Sequence, residues 1–381
     1  MKIEQLRWQE KFGWNSDPYQ KLKSEADLVL AFGGRQILET NKIFDDLKSF
    51  YPKANILTCS TSGEISGTEV FDDTVVSTAI HFERSETKVY SREIKSIDSS
   101  QEAGREIARY FPSEGLVHLF VICDGQKVNG SRLVQGINET LPASVSVTGG
   151  LAGDGTLFQK TLVGLNDYPQ EGRIAAVGFY GSNLRISYGS IGGWDSFGPE
   201  RLITKSRDNI LYELDGRSAL ELYKNYLGDH AQELPGAALL FPLSIKTDDA
   251  SEPVVRTILS VDEENNCMIF AGDMPQGAYA RLMKANFDRL IEGASVAAEN
   301  SKQSQSAASS ELAVLISCVG RKIVLGQRIE EEVEAVREAL GDKAVLAGFY
   351  SYGEISPFNP STKCELHNQT MTITTFNESL S

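Results

Sequence analysis

The chain lacks the features that would place it in most membrane or catalytic classes. No apolar run reaches the roughly 18 residues that a spanning helix needs, so no transmembrane helix is expected. Met1-Lys2-Ile3-Glu4-Gln5 offers no apolar h-region, and no signal peptide is expected. The cysteines, Cys59, Cys123, Cys267, Cys318 and Cys364, are scattered, odd in number and never arranged as CxxC. That excludes a disulfide framework and a thiolate zinc site, and fits reduced thiols in a cytoplasm. Only four histidines occur, with no HExxH and no local pair, which argues against a metal enzyme. There is no GxSxG nucleophile elbow. The glycine-rich stretch Gly149–Gly155 matches neither GxGxxG nor GxxxxGK[ST], and strands rather than a helix are expected after it. Positive charge is also short: 37 Lys and Arg against 52 Asp and Glu give a net charge of −15. Nucleic acid and anionic membranes both select for the opposite field, so neither is expected as a partner. A cytoplasmic acidic protein is the expectation.

What the sequence does contain is a repeated motif. Ile56-Leu57-Thr58-Cys59-Ser60-Thr61-Ser62-Gly63-Glu64 is an apolar run ending in small hydroxyl residues and a Gly-Glu step. It recurs as Val345-Leu346-Ala347-Gly348-Phe349-Tyr350-Ser351-Tyr352-Gly353-Glu354, and in a degenerate middle copy as Val145-Ser146-Val147-Thr148-Gly149-Gly150-Leu151-Ala152-Gly153-Asp154. Upstream of each copy stands an apolar strand ending near a glycine (Gly34-Arg35, Gly125 with Lys127, Gly320-Arg321) and then a helical stretch. Antiparallel patterning with a period of two follows each copy. The pattern predicts an α/β fold of internally duplicated units, with mixed sheets, helices packed outside and two lobes. At 381 residues the chain has room for two or three domains. Residues 1–24, with Trp8, Phe12, Trp14 and Tyr19, are expected to form a leader segment packed on the surface. An N-terminal domain is expected over 25–225 and a C-terminal one over 226–381. Single helices are predicted over 36–51 and 278–298, strands over 254–261 and 364–376, and an exposed low-complexity loop over 300–310.

The repeated turns combine both charges with neutral hydrogen-bonding groups. Glu64, Asp154 and Glu354 supply carboxylates, Arg35 and Arg321 supply cations, and Ser60, Thr61, Ser62, Ser351 and Tyr352 supply hydroxyls. Gly63, Gly150, Gly153 and Gly353 would leave backbone amides open to a ligand. Such a set suits a small zwitterion or polar metabolite. The competing explanation is structural: a Gly-Glu step makes a tight turn whose carboxylate caps backbone amides. His367 and Asn368, in the polar cluster Leu366-His367-Asn368-Gln369-Thr370, join the candidate ligand site, whereas His81 and His118 read as core histidines. Cys59 beside Ser60 could be a nucleophile, but only glutamates stand nearby as bases. Cys123 and Cys318 hold equivalent strand ends, which points to buried packing thiols. No enzyme is expected.

Taken in order, Cys59-Ser60-Thr61-Ser62-Gly63-Glu64-Ile65, Gly149-Gly150-Leu151-Ala152-Gly153-Asp154, Gly348–Ile355 and Leu366–Thr370 resemble the hallmarks of FIST proteins, which carry an N-terminal and a C-terminal FIST domain. The resemblance spans roughly residues 25 to 376. It implies a sensory module of signal transduction that binds a small ligand such as an amino acid. The pocket is expected between the two halves, where the Gly-acid turns converge, lined by Glu64, Asp154, Glu354 and His367 with Arg35 and Arg321 nearby. No output domain is expected in this chain, so signalling would pass through a separate protein such as a histidine kinase. No cofactor is required by this reading. The alternative that the resemblance also implies is a haem-binding nitric-oxide sensor acting on a histidine kinase, with His367 or His81 as axial ligand.

Overall fold

Three apolar strands, Leu28–Gly33, Leu116–Cys123 and Leu312–Cys318, lie inside three six-stranded sheets. The computed structural model describes residues 1–15, 21–234, 236–248, 252–302, 310–359 and 362–379. Each of the three strands is buried over nearly its whole length, as expected of strands covered on both faces. The pleat sorts their side chains. Leu28, Leu30 and Phe32 join Phe120, Ile122, Val314 and Ile316 in one core shared by all three sheets. Val29 and Ala31 turn outward into a second cluster with Leu38, Ile43 and Leu47 from helices.

These strands define three units of one design. The first strand of each pairs in parallel with a second: Asn55–Ser60, Ser146–Leu151 and Val345–Ser351. Helices make the crossover, since parallel neighbours cannot be joined by a tight turn. In unit one these are α1 (Arg35–Leu38) and α2 (Lys42–Phe50). In unit two α3 (Ser100–Tyr110) precedes the first strand and α4 (Gly130–Thr140) crosses over. A helix of the second lobe, α5 (Ala219–Leu227), comes next in the chain. In unit three α6 (Phe287–Asn300) precedes the first strand, and α7 (Val319–Leu325) and α8 (Ile329–Leu340) cross over. A closing strand then pairs antiparallel with the first: Thr74–His81, Arg173–Tyr180 and Met371–Glu378.

The segment between second and closing strands leaves its own sheet. The hairpin Glu64–Ser66/Glu69–Phe71 of unit one pairs with Val345–Ser351 of unit three. Val163–Leu165 of unit two pairs with Asn55–Ser60 of unit one. The hairpin Gly353–Pro357/Cys364–His367 of unit three pairs with Ser146–Leu151 of unit two. Each unit thus completes another's sheet in a closed cycle. The fold is α/β with internally repeated units, mixed sheets and helices outside. Residues 2–9 supply a full strand beside Thr74–His81, and Trp8 and Trp14 pack against the α2 cluster.

A second lobe is inserted in unit three between the strand Leu184–Ile191 and α6. Its eight-stranded sheet and α5 enclose a separate core around Ile203, Tyr223, Met268 and Phe270. A division at 225/226 falls inside α5 of this lobe.

Several local expectations change. The helix expected over 36–51 breaks at Asn41, which adopts φ 61°. Residues 278–298 begin with the strand Tyr279–Lys284 before α6, and 254–261 divide into Val254–Arg256 and Ile258–Asp262. The strand expected over 364–376 is two strands in two sheets, separated by Asn368–Thr370. Tyr19 and residues 303–309 of the low-complexity stretch lie outside the described residues.

Candidate functional site

The three second strands end against one another, so the three repeated turns meet. Gly153 N donates to Ser60 O at 2.9 Å, Ser62 N to Tyr350 O at 2.8 Å, Tyr350 N to Gly63 O at 2.8 Å and Tyr352 N to Leu151 O at 3.2 Å. A Cβ at Gly153 would collide with Ser62 Oγ, so the close approach of units one and two requires glycine there.

Glu64 and Glu354 occupy equivalent, fully buried positions and bond in the same way. Glu354 accepts from Ser351 Oγ at 2.6 Å and, on its other oxygen, from Thr370 N at 3.2 Å and Thr370 Oγ1 at 2.9 Å. Glu64 accepts from Thr61 Oγ1 and, on its other oxygen, from Thr74 N at 3.1 Å and Thr74 Oγ1 at 2.8 Å. Each carboxyl therefore ties the end of the second strand to the start of its own closing strand. Burial pushes Glu64 up to about 7 and Glu354 up to about 8, against the hydrogen bonds that favour the charged forms.

The middle unit departs from this pattern. Asp124, at the end of its first strand, takes over the latch: it accepts from Gly172 N at 2.6 Å and Thr161 Oγ1 at 2.8 Å. Asp154 is left to accept from Gln159 N at 3.1 Å, Lys160 N at 2.9 Å and the Tyr352 hydroxyl. Arg35 Nε stands 3.7 Å from Asp154, and Ser62 Oγ donates to Gly155 O at 3.1 Å. Arg35, Ser62, Gly153, Asp154 and Tyr352 thus come together in one cluster.

The other candidates are placed elsewhere or used internally. Arg321 is fully enclosed: Nη2 donates to Glu332 at 2.8 Å and to Leu290 O at 2.8 Å, which makes it the tie between α7, α8 and α6. Ser60 Oγ accepts from Leu162 N at 2.8 Å, and Gly150 pairs in register with Glu354. Asn368 Nδ2 donates to Tyr352 O at 3.4 Å. His367 Nε2 lies 2.8 Å from Ser356 O, its ring packs edge-on against Phe358, and burial pulls it down to about 4, so it is neutral at pH 7. His81 Nδ1 lies 2.9 Å from Asp27, and both ring nitrogens of His118 are within 2.9 Å of hydroxyls. Among the described residues no group of three His, Cys, Asp or Glu is placed to hold a metal ion. His81 and His367 each have one ring nitrogen engaged with a protein oxygen. All five cysteines are buried, and burial raises each thiol.

Two open volumes lie where the inserted lobe meets unit two. A pocket of about 120 Å³ is lined by Leu151, Phe158 and Tyr352 of the body and Leu259 and Phe270 of the lobe. Phe158 stacks on Tyr352 at 4.5 Å. A larger cleft of about 770 Å³ lies between α4, the lobe strands Leu243–Lys246 and Val254–Arg256, and the hairpin around Phe358 and Glu365. The two are separated by a latch, in which Asn129 Nδ2 donates to Asp273 Oδ1 at 3.0 Å and Arg132 pairs with Asp208.

Arg256 sits at the cleft wall and is 5% exposed. Glu365 lines the same cleft; burial raises its carboxyl and the Arg256 charge lowers it. Neither residue stood out in the sequence. The one available signal was a lone arginine in the apolar run Val254-Val255-Arg256-Thr257-Ile258-Leu259. Among the described residues no helix is long and apolar enough to cross a membrane.

Comparison with known proteins places this architecture. An uncharacterized protein of Methanocaldococcus jannaschii is 22% identical over 333 residues, which covers 79% of this chain and 62% of that protein. This chain therefore spans about three fifths of that relative. Among solved structures, a chorismatase matches with a TM-score of 0.37 at 10% identity over 98% of both chains. A cyanuric acid hydrolase from A. caulinodans matches with a TM-score of 0.18 at 11% identity, over 77% of this chain and 99% of that one. The FIST N domain matches residues 27–217 and the FIST C domain residues 219–357. Those two matches cover nearly the whole chain, and it belongs to the FIST family, sensory domains of signal-transduction proteins.

Proposed function

We propose that the chain is a sensor of a small polar metabolite, an amino acid being the type of compound, bound in the cleft between the inserted lobe and α4. The observation that carries this is the cleft itself. At about 770 Å³ it has the volume of a small-molecule site, and its walls come from both the FIST N and the FIST C matches. The repeated Gly-acid turns lie behind it as the frame. Ligand contacts made simultaneously to α4 and to the lobe favour one relative position of lobe and body, and that difference in affinity is what a sensor needs. The state of the lobe is then read by a separate signalling protein such as a histidine kinase, in the cytoplasm.

A thermal-shift screen with amino acids and related polar metabolites tests the reading. A ligand at 100 times its Kd stabilises by about 2.7 kcal/mol, which is readily seen as a rise in melting temperature. Introducing bulk at the cleft wall on the exposed side of α4, as in Gln135→Trp, should abolish that rise. A panel without any stabilising compound, or a rise untouched by Gln135→Trp, would count against the cleft. Haem is the competing ligand: a stoichiometric Soret band after expression with haem supply, lost on substitution of His81 or His367, would replace the metabolite reading.

A further inference from the structure

We infer that Arg256 is an anion-recognition residue and that the ligand of the cleft carries a carboxylate. This rests on the cleft being the sensory site, as proposed above.

The guanidinium of Arg256 is held entirely by main-chain oxygens. Nε donates to Asp273 O at 3.3 Å, and Nη1 to Val255 O at 3.4 Å and Leu366 O at 2.8 Å. Among the described residues no carboxylate lies within ion-pair distance of it. Nη2 has no hydrogen-bond partner among the described residues and is not sealed from solvent. Its seat is built for a flat group, because a Cβ at Gly272 would stand 2.7 Å from Nε.

The chain treats its other enclosed guanidinium differently: Arg321 is neutralised by Glu332 at 2.8 Å. Two of the carboxylates lining this cleft are turned to other tasks. Asp273 accepts from Asn129, and Glu139 accepts from Arg105 at 2.7 Å and Gln101 at 2.9 Å. Lys363 at the rim donates to Asn138 O at 3.0 Å. The result is a desolvated cation at the cleft wall with one donor nitrogen left over; Glu365 and Asp273 act on its charge but neither forms an ion pair with it. Guanidinium groups in such settings bind carboxylates with short, charge-assisted hydrogen bonds. Glu365, which also lines the cleft and has no hydrogen-bond partner among the described residues, can receive an ammonium or hydroxyl on the same ligand.

The test follows the arginine side-chain resonances of the whole protein by nitrogen-15 NMR during titration with sodium acetate. Arg256→Lys identifies the Arg256 signal; acetamide and matched sodium chloride serve as controls. The expected result is a saturable shift of the Arg256 Nε–H signal at millimolar acetate, with no saturable shift from acetamide or chloride. In Arg256→Gln, checked for folding by circular dichroism, the acetate-induced rise in melting temperature should be lost. If that variant does not fold, the wild-type titration and Arg256→Lys decide. A non-saturating response, or an equal response to acetamide, overturns the inference. A metabolite that binds the cleft without moving the Arg256 signal overturns the anion role and leaves the sensor reading intact. A saturable acetate response without any stabilising metabolite upholds Arg256 and counts against the sensor reading.

Discussion

Glu354→Gln probes the interlock at the heart of the fold. The Glu354 carboxyl has an ordinary value of 4.5 when exposed and about 8 in the native state, raised by burial. A group raised on folding holds its proton in the native state while the unfolded chain has released it. Its stabilising contribution is complete below the unfolded value and is lost as pH climbs through the native one. At 1.36 kcal/mol per unit, Glu354 removes roughly 2 kcal/mol between pH 6 and 8, and Glu64, raised to about 7, removes roughly 1 kcal/mol more. Glutamine reproduces the protonated acid. Its oxygen can accept from Thr370 N and Oγ1, and its NH2 can donate to Ser351 Oγ, which lies 3.3 Å from Ser317 O and can pass its own proton there. Urea unfolding at pH 6 and pH 8 reads the outcome. The wild type should lose roughly 3 kcal/mol across that interval and Glu354→Gln only about 1 kcal/mol, with the two proteins of similar stability at pH 6. An identical loss in both proteins would refute the assignment of the pH dependence to this carboxyl.

Two further outcomes follow from buried groups. Arg321→Met leaves Glu332 as an uncompensated buried charge and should cost about 3–5 kcal/mol in urea unfolding at neutral pH; a cost below about 1 kcal/mol would show that Arg321 is not the tie described. All five thiols are buried, with their ionisation suppressed by that burial, so a thiol reagent at pH 8 should label none in the native state and all five after denaturation. Rapid stoichiometric labelling of the native protein would contradict the burial of Cys59 and its equivalents.

Much of the architecture is legible in the sequence because it rests on local patterns. The apolar runs at Leu28, Leu116 and Leu312 each mark a strand buried on both faces, and the repeated Gly-acid step marks where the second strand ends. The cyclic exchange is not legible. Glu64–Ser66 pairs with residues nearly three hundred positions away, and nothing in its alternation distinguishes that partner from a local one. The strand over 364–376 has continuous alternation, yet it changes sheets at Asn368–Thr370, where Gln369 adopts φ 64°. For the site, the convergence of Arg35, Asp154 and Tyr352 follows from the repeat. The enclosure of Glu64, Glu354 and Arg321 does not, because burial is a tertiary property. Arg256 and Glu365 escaped notice since they lie on short strands of different sheets and meet only through the docking of the second lobe.

The central claim is that a metabolite binds between the lobe and α4 and not among the repeated turns. Hydrogen–deuterium exchange with and without the metabolite that most raises the melting temperature tests it most directly. The account predicts slowed exchange in α4 and in the strands Leu243–Lys246 and Val254–Arg256, with the turns at Ser60–Glu64 and Ser351–Glu354 unchanged. Slowing confined to those turns, with the cleft walls unaffected, would contradict it.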